Sequence, residues 1–96
     1  MNIYDFSNPS VALQKAKQYL GNNVDFQLSN KPAKKYMIWD PHIMKWIYFG
    51  QMGYEDFTKH NDSQRRYNYL RRTANIKGKW RENKYSPNNL SRHILW

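Results

Sequence analysis

The clearest chemistry in the sequence belongs to cationic side chains that alternate with aromatic rings in the C-terminal half. Two arginine pairs, Arg65-Arg66 and Arg71-Arg72, would place guanidinium groups on three sides of one helix. Cations beside flat rings suit nucleic-acid backbones, and arginine also binds carboxylates in protein interfaces. Ten residues therefore predict a surface for an anionic partner: Arg65, Arg66, Tyr69, Arg71, Arg72, Lys77, Lys79, Trp80, Arg81 and Lys84. Trp80 is equally well interpreted as a core residue.

The net charge of +9 is concentrated at one end of the chain. Residues 1–58 hold six Lys/Arg and five Asp/Glu, whereas residues 59–96 hold ten and two, a balance of +8. Such a field attracts nucleic acid, an anionic membrane face or an acidic protein, although a solvated face without any partner would have the same composition.

Enzyme motifs are weak by comparison. The histidines, His42, His60 and His93, have no metal-site spacing, there is no cysteine, and no nucleophile motif or phosphate-binding glycine loop occurs. A metal-dependent nuclease built on Glu55, Asp56 and Asp62 near His60 is the best enzymatic alternative, although adjacent carboxylates in an extended segment point apart. We expect no catalytic residue, no metal site and no cofactor.

Several local patterns predict the elements that position the basic residues. Ser7-Asn8-Pro9 is typical of a helix start, and Gly21 of its end. Val24, Phe26 and Leu28 alternate with polar residues, which predicts a short strand. Two apolar runs around Asp40-Pro41 predict a β-hairpin that is apolar on both faces and is covered on both, by helices or by a partner.

The basic residues themselves are expected on a helix over about 63–74, capped by Asp62. Its helical wheel predicts that Tyr67, Leu70 and Ala74 face the core, with Arg66 and Arg71 flanking them. Arg65 and Arg72 then project from the opposite side, close to Tyr69. A basic loop follows, and Ser86-Pro87 begins a last helix that carries Leu90, Ile94 and Leu95.

Together these patterns predict an α+β fold, with a central hairpin or small antiparallel sheet and about three helices packed around it. Ninety-six residues are enough for one domain, with residues 1–30 forming a helix and strand and 31–96 the hairpin, basic helix and C-terminal helix. Because the apolar runs are too short to cross a bilayer, we expect a soluble intracellular protein without a transmembrane segment.

The stretch from Phe49 to Arg72 combines closely spaced glycines, aromatics and arginines. Its most specific positions are Phe49-Gly50, Gly53-Tyr54, Asp56-Phe57-Thr58, His60, Asp62, Arg65-Arg66, Tyr69-Leu70 and Arg72. This pattern resembles a signature of small basic proteins from giant (nucleocytoplasmic large DNA) viruses, and the similarity extends over residues 31–96. The resemblance implies a setting, a large particle with a duplex genome, and it gives no catalytic residues to carry over to this sequence.

Within that setting, the sequence favours a non-enzymatic virion structural protein, a minor capsid or core component that bridges larger virion proteins through a basic aromatic surface. The alternative is a sequence-independent protein that binds double-stranded DNA and packages the genome. Either function implies a location in the virion, and in the host cytoplasm or nucleus during assembly. The oligomeric state and the role of the N-terminal helix stay open.

Overall fold

A three-stranded antiparallel sheet, with its strands in chain order, forms the centre of the computed structural model, which describes residues 2–96. The strands are β1 (Phe26–Leu28), β2 (Lys34–Asp40) and β3 (Lys45–Gln51). The helices are α1 (Pro9–Leu20), α2 (Phe57–His60), α3 (Ser63–Thr73) and α4 (Pro87–Leu90), which a π-helical turn (Ser91–Leu95) extends. Short 3-10 turns occupy Ile3–Asp5 and Trp80–Glu82. The predicted α+β class with one sheet and surrounding helices is confirmed.

The boundaries of α1 follow from local chemistry. The Asn8 side chain accepts a hydrogen bond from the Val11 amide, Pro9 takes the first helical position, and Gly21 ends the helix with a φ of 104°. One face of the helix presents Ala12 and Ala16, which are fully buried. Their small side chains allow α1 to lie close to the π-helical turn.

The hairpin of β2 and β3 has the predicted Asp40-Pro41 turn. Asp40 stabilises the turn, since its carboxylate accepts a hydrogen bond from the His42 amide (2.9 Å) and its carbonyl accepts one from the Met44 amide (2.9 Å). In the resulting register Tyr36 lies opposite Phe49 and Ile38 opposite Ile47.

The two faces of the hairpin have different surroundings. Tyr36, Ile38 and Phe49 lie in one buried cluster with the apolar residues of α1, α4 and the π-helical turn. Side chains alternate along a strand, so Met37 and Trp39 point to the other face. The helices that complete the core therefore lie on the first face, and the second consists largely of half-buried aromatic rings.

The orientation of α3 corrects the sequence prediction, although its extent and the Asp62 cap are confirmed. Tyr67, predicted to face the core, is 58% exposed, whereas Tyr69 is half-buried and stacks on Trp96 with 4.1 Å between ring centroids. The inner side of α3 is formed by Tyr69, Leu70 and Thr73, with the exposed Arg66 at its edge. Leu70 and Ala74 are half-buried, in accord with the prediction. Trp96 and the π-helical turn select this face, because they offer tyrosine a ring to stack on and arginine a backbone oxygen.

A buried ion pair joins β2 to the start of α2. Lys35 Nζ lies 3.0 Å from Asp56 Oδ2, and the two side chains are 3% and 1% exposed. Lys35 also donates to the backbone oxygens of Tyr54 (2.6 Å) and Phe6 (3.4 Å). Asp56 accepts from the amide and hydroxyl of Thr58 and so caps α2. Because every polar group of the pair has a partner, the two charges are tolerated without water.

None of the helices within residues 2–96 is long and apolar enough to span a membrane.

Candidate functional site

A groove of about 760 Å³ runs between the end of β3, helix α3 and the C-terminal turn. Helix α3 supplies Arg65, Tyr69 and Arg72, which recur at intervals of four and three residues and therefore share one side. The sheet contributes residues 34–35 and 49–51, and the π-helical turn contributes Ser91 and Leu95. The groove thus brings together three of the ten predicted partner-binding residues. This differs from the prediction, since the side of α3 that was expected to face solvent lines a concave surface.

The aromatic wall of this groove is held by stacked contacts. Tyr69 and Trp96 lie parallel, with an angle of 7° between their rings. The Arg72 guanidinium lies 5.5 Å from the Tyr69 centroid, within the range of a cation–π contact. Burial raises the pKa of the Tyr69 phenol, so the ring stays neutral at physiological pH.

Four of the predicted surface residues serve the fold. Arg66 Nε donates to the Trp96 backbone oxygen at 2.7 Å. Trp80 Nε1 donates to the Ile76 carbonyl at 2.8 Å, and the ring lies under the Arg81 guanidinium at 4.3 Å. Arg81 also donates to the Ala74 carbonyl (2.9 Å), and Lys84 donates to the Tyr19 carbonyl (3.1 Å). These contacts favour the structural interpretation of Trp80 over a role as a stacking platform.

Three other predicted cations project from the structure. The side chains of Arg71, Lys77 and Lys79 are exposed and have no hydrogen bond or ion pair to residues 2–96. They follow one another at the C-terminal end of α3 and along the next loop. Positive charge that is not neutralised within the fold is available to a partner. We name Arg71, Lys77 and Lys79 the outer basic surface.

Sequence reasoning missed two residues that organise this region. Arg92 donates to the Leu70 carbonyl (2.6 Å) and to the Thr73 hydroxyl (2.7 Å), so it fixes the end of α3. The buried Asn89 amide donates to the carbonyls of Trp80 (2.8 Å) and Asn83 (2.9 Å) and holds the basic loop. Neither has a sequence pattern of its own, because their partners, mostly backbone oxygens, lie between 6 and 22 residues away in the chain.

The acidic residues of the nuclease alternative each contact a different partner. Glu55 pairs with Arg65 at 3.1 Å, Asp56 pairs with buried Lys35, and Asp62 accepts from the first amides of α3. Within residues 2–96, no three histidine or acidic side chains converge as metal ligands. The carboxylates that the sequence placed near His60 are thus not assembled into one cluster.

His60 lies beside the aromatic wall without adding charge to it. Its Nδ1 accepts a hydrogen bond from the Asp62 amide at 2.9 Å, and its ring centroid lies 5.1 Å from that of Trp96. Burial lowers the pKa of His60, and the nearby Arg65 cation lowers it further. The neutral ring is therefore the form that the fold accepts at physiological pH.

A second surface lies on the outer face of the sheet. Trp39 and Trp46 meet edge to face, with 5.4 Å between centroids, and Met37 lies opposite Tyr48 in the register. The Lys31 ammonium lies 4.1 Å from the Tyr48 centroid. Half-exposed tryptophan and tyrosine are typical of protein interfaces, since one ring offers a large contact area with few rotatable bonds. We name Met37, Trp39, Trp46 and Tyr48 the aromatic sheet face.

Comparison with known proteins gives a family without a known activity. The family model described as "Family of unknown function (DUF5754)" matches residues 24–73, which run from two residues before β1 to the end of α3. No curated protein and no solved structure matches the chain. The matched range holds all three strands, the Lys35–Asp56 ion pair and the groove side of α3, and it covers just over half of the 96 residues. The chain therefore belongs to the DUF5754 family of unknown function.

Proposed function

We propose that this chain is a non-enzymatic assembly protein that holds an anionic partner on its outer basic surface. The observation that carries this proposal is the availability of Arg71, Lys77 and Lys79, which no acidic side chain within residues 2–96 neutralises. A fold that merely needed solubility would gain little from three unpaired cations within nine residues of the chain, because an excess of like charge destabilises the compact state.

The aromatic sheet face supports a bridging role. It shares no residue with the outer basic surface or with the groove. A chain with two separate surfaces, one aromatic and one cationic, can contact two larger bodies at once. The contact types also differ, since the aromatic face would contribute burial and the basic surface electrostatic attraction.

We place this role in the particle of a large DNA virus, as a minor capsid or core component that bridges larger virion proteins. Support comes from the resemblance of residues 31–96 to small basic proteins of giant viruses. Such a particle contains many large proteins that smaller ones must join. A location in the virion, with assembly in the host cytoplasm or nucleus, follows from this proposal.

Sequence-independent binding of double-stranded DNA for genome packaging is a second candidate. It is favoured by the position of the three outer cations on the C-terminal end of α3 and the next loop, where they can follow a phosphate backbone without contacting bases. Base-specific contacts are not needed for packaging. The two candidates differ in which component of the particle holds the chain.

Fractionation of purified particles separates the candidates. Particles from infected cells would be opened gently, the released nucleoprotein separated from the shell, and the chain followed by immunoblotting in the two fractions. We expect it in the shell fraction, because a bridging protein is retained by its protein partners. Recovery only with the nucleoprotein would favour packaging. Recovery only from infected-cell extracts, with none in particles, would contradict both functions.

A further inference from the structure

We propose that the groove beside α3 binds an extended acidic peptide segment of a partner protein. This inference rests on the assembly function and specifies one of its contacts. A volume of about 760 Å³ lies within the range of sites that enclose a small ligand or a few residues of a peptide. The groove, unlike the outer basic surface, is concave and therefore able to select a shape as well as a charge.

The charges of the groove favour carboxylates. Lys34, Arg65 and Arg72 line it, and Glu55 is the acidic side chain among the lining residues. Arg65 already binds a carboxylate in this position, since its Nη1 lies 3.1 Å from Glu55 Oε1. Lys34 and Arg72 have no acidic partner within residues 2–96, so both are available to carboxylates of a bound peptide.

The uncharged lining suits the rest of a peptide. Amide side chains of Gln51, Asn68 and Asn88 stand along the groove, and a peptide backbone offers both donors and acceptors to them. Asn68 Oδ1 accepts from Gln64 Nε2, so its amide nitrogen is the group that is free to donate. Asn88 Nδ2 donates to the Thr73 carbonyl, so its Oδ1 is free to accept. Apolar contact comes from Trp96 and from Ile76, which is 50% exposed. A segment that alternates acidic and apolar side chains would match both kinds of lining.

The aromatic rings of the groove favour a peptide over a single-stranded nucleic acid. Trp96 already stacks on Tyr69, and the Arg72 guanidinium lies near the same ring. Tyr54, which is 67% exposed, is the lining ring most open to a base. Nucleic-acid channels use successive stacking rings along a strand.

The test is a binding measurement with a matched pair of variants. Anisotropy of a fluorescein-labelled eight-residue peptide of alternating Glu and Leu would be recorded at physiological salt with the full chain. We expect Arg72→Gln to weaken binding about tenfold, the effect of losing one charge-assisted hydrogen bond. Lys17→Gln removes the same charge from an exposed position of α1, outside both the groove and the outer basic surface, and should change the dissociation constant less than about twofold.

Two controls keep the result specific. Lys34→Gln, on the opposite wall of the groove, should weaken binding as Arg72→Gln does, and a peptide with Gln in place of Glu should bind much more weakly to the unchanged protein. Circular dichroism would show that each variant keeps its fold. The 15-nucleotide probe (dT)15 would be measured with the same proteins.

Equal losses from Lys17→Gln and Arg72→Gln would overturn the inference, because attraction would then depend on net charge alone. Tighter binding of (dT)15 than of the acidic peptide, with greater loss in Arg72→Gln than in Lys17→Gln, would make the groove a nucleic-acid site and also overturn it. Neither result affects the particle fractionation, so failure of the groove inference is distinguishable from failure of the assembly function.

Discussion

Replacement of Lys35 by Met is expected to lower the free energy of unfolding by about 3–5 kcal/mol, the cost of breaking a buried ion pair from one side. The substitution leaves the Asp56 carboxylate charged, almost fully buried and without its cationic partner. It also removes the donor to the Tyr54 and Phe6 carbonyls. Since those groups join the N-terminal segment to the sheet, the loss should affect the whole fold.

Glu55, which precedes Asp56 in the chain, gives a matched control. Glu55→Gln breaks the ion pair between Glu55 and Arg65, in which the two side chains are 38% and 48% exposed. Exposed pairs contribute about 0.2–1 kcal/mol, so this variant should unfold at nearly the same urea concentration as the unchanged protein. Urea unfolding followed by tryptophan fluorescence would compare the two. If the Lys35→Met protein were as stable as the Glu55→Gln protein, the buried ion pair would not contribute to stability as we expect.

Gly50→Ala is expected to lower the free energy of unfolding by about 2–4 kcal/mol, which combines backbone strain with overpacking. Gly50 has a φ of +78°, a conformation that alanine adopts at a cost. A Cβ at this position would lie 2.8 Å from Leu95 Cδ1 and 3.1 Å from Lys35 Cβ. Leu95 is buried in the core cluster, so its side chain has little freedom to move away.

Gly53→Ala separates the two contributions. Gly53 also has a positive φ, +96°, but a Cβ there would have no atom within 4 Å. This variant should therefore show the backbone strain alone, about 1 kcal/mol. Thermal unfolding of both proteins would measure the difference. If Gly53→Ala were as destabilising as Gly50→Ala, the result would contradict the close approach of Leu95 to Gly50.

Much of the fold could be predicted because its elements are marked by local chemistry. Asn8, Pro9 and Gly21 set the limits of α1, Asp62 caps α3, and Asp40-Pro41 turns the hairpin. These residues act on backbone groups within a few positions along the chain. Local capping and turn formation are therefore visible in a sequence without knowledge of the tertiary structure.

The orientation of α3 could not be predicted in the same way. An amphipathic wheel ranks Tyr67 and Tyr69 alike, since both are tyrosines, and the mean position of the apolar residues favoured the side of Tyr67. The face of α3 that turns inward is determined by Trp96, which lies 27 residues beyond Tyr69 in the chain and stacks on its ring. A long-range aromatic contact of this kind outweighs the local pattern.

The candidate site was predicted in composition but not in shape. The ten predicted residues separate into groups with different surroundings: Arg65, Tyr69 and Arg72 line the groove, and Arg71, Lys77 and Lys79 form the outer basic surface. The remaining four, Arg66, Trp80, Arg81 and Lys84, bond to backbone oxygens. Charge counts cannot distinguish a cation that binds the chain's own carbonyls from one that is available to a partner.

The salt dependence of polyanion binding tests most directly whether the outer basic surface holds an anionic partner. Binding to a 20-base-pair duplex, used as a defined polyanion, would be measured over a range of salt concentrations for the unchanged chain and two triple variants. The Arg71→Gln, Lys77→Gln, Lys79→Gln protein should have a salt slope smaller by about 2–3, because each lost phosphate contact reduces it by about 0.9. The control, Lys17→Gln, Lys45→Gln, Lys59→Gln, removes the same charge from other exposed positions and should retain the slope. Equal reductions in the two variants would contradict a defined surface and leave only the net charge of +9 as the source of binding.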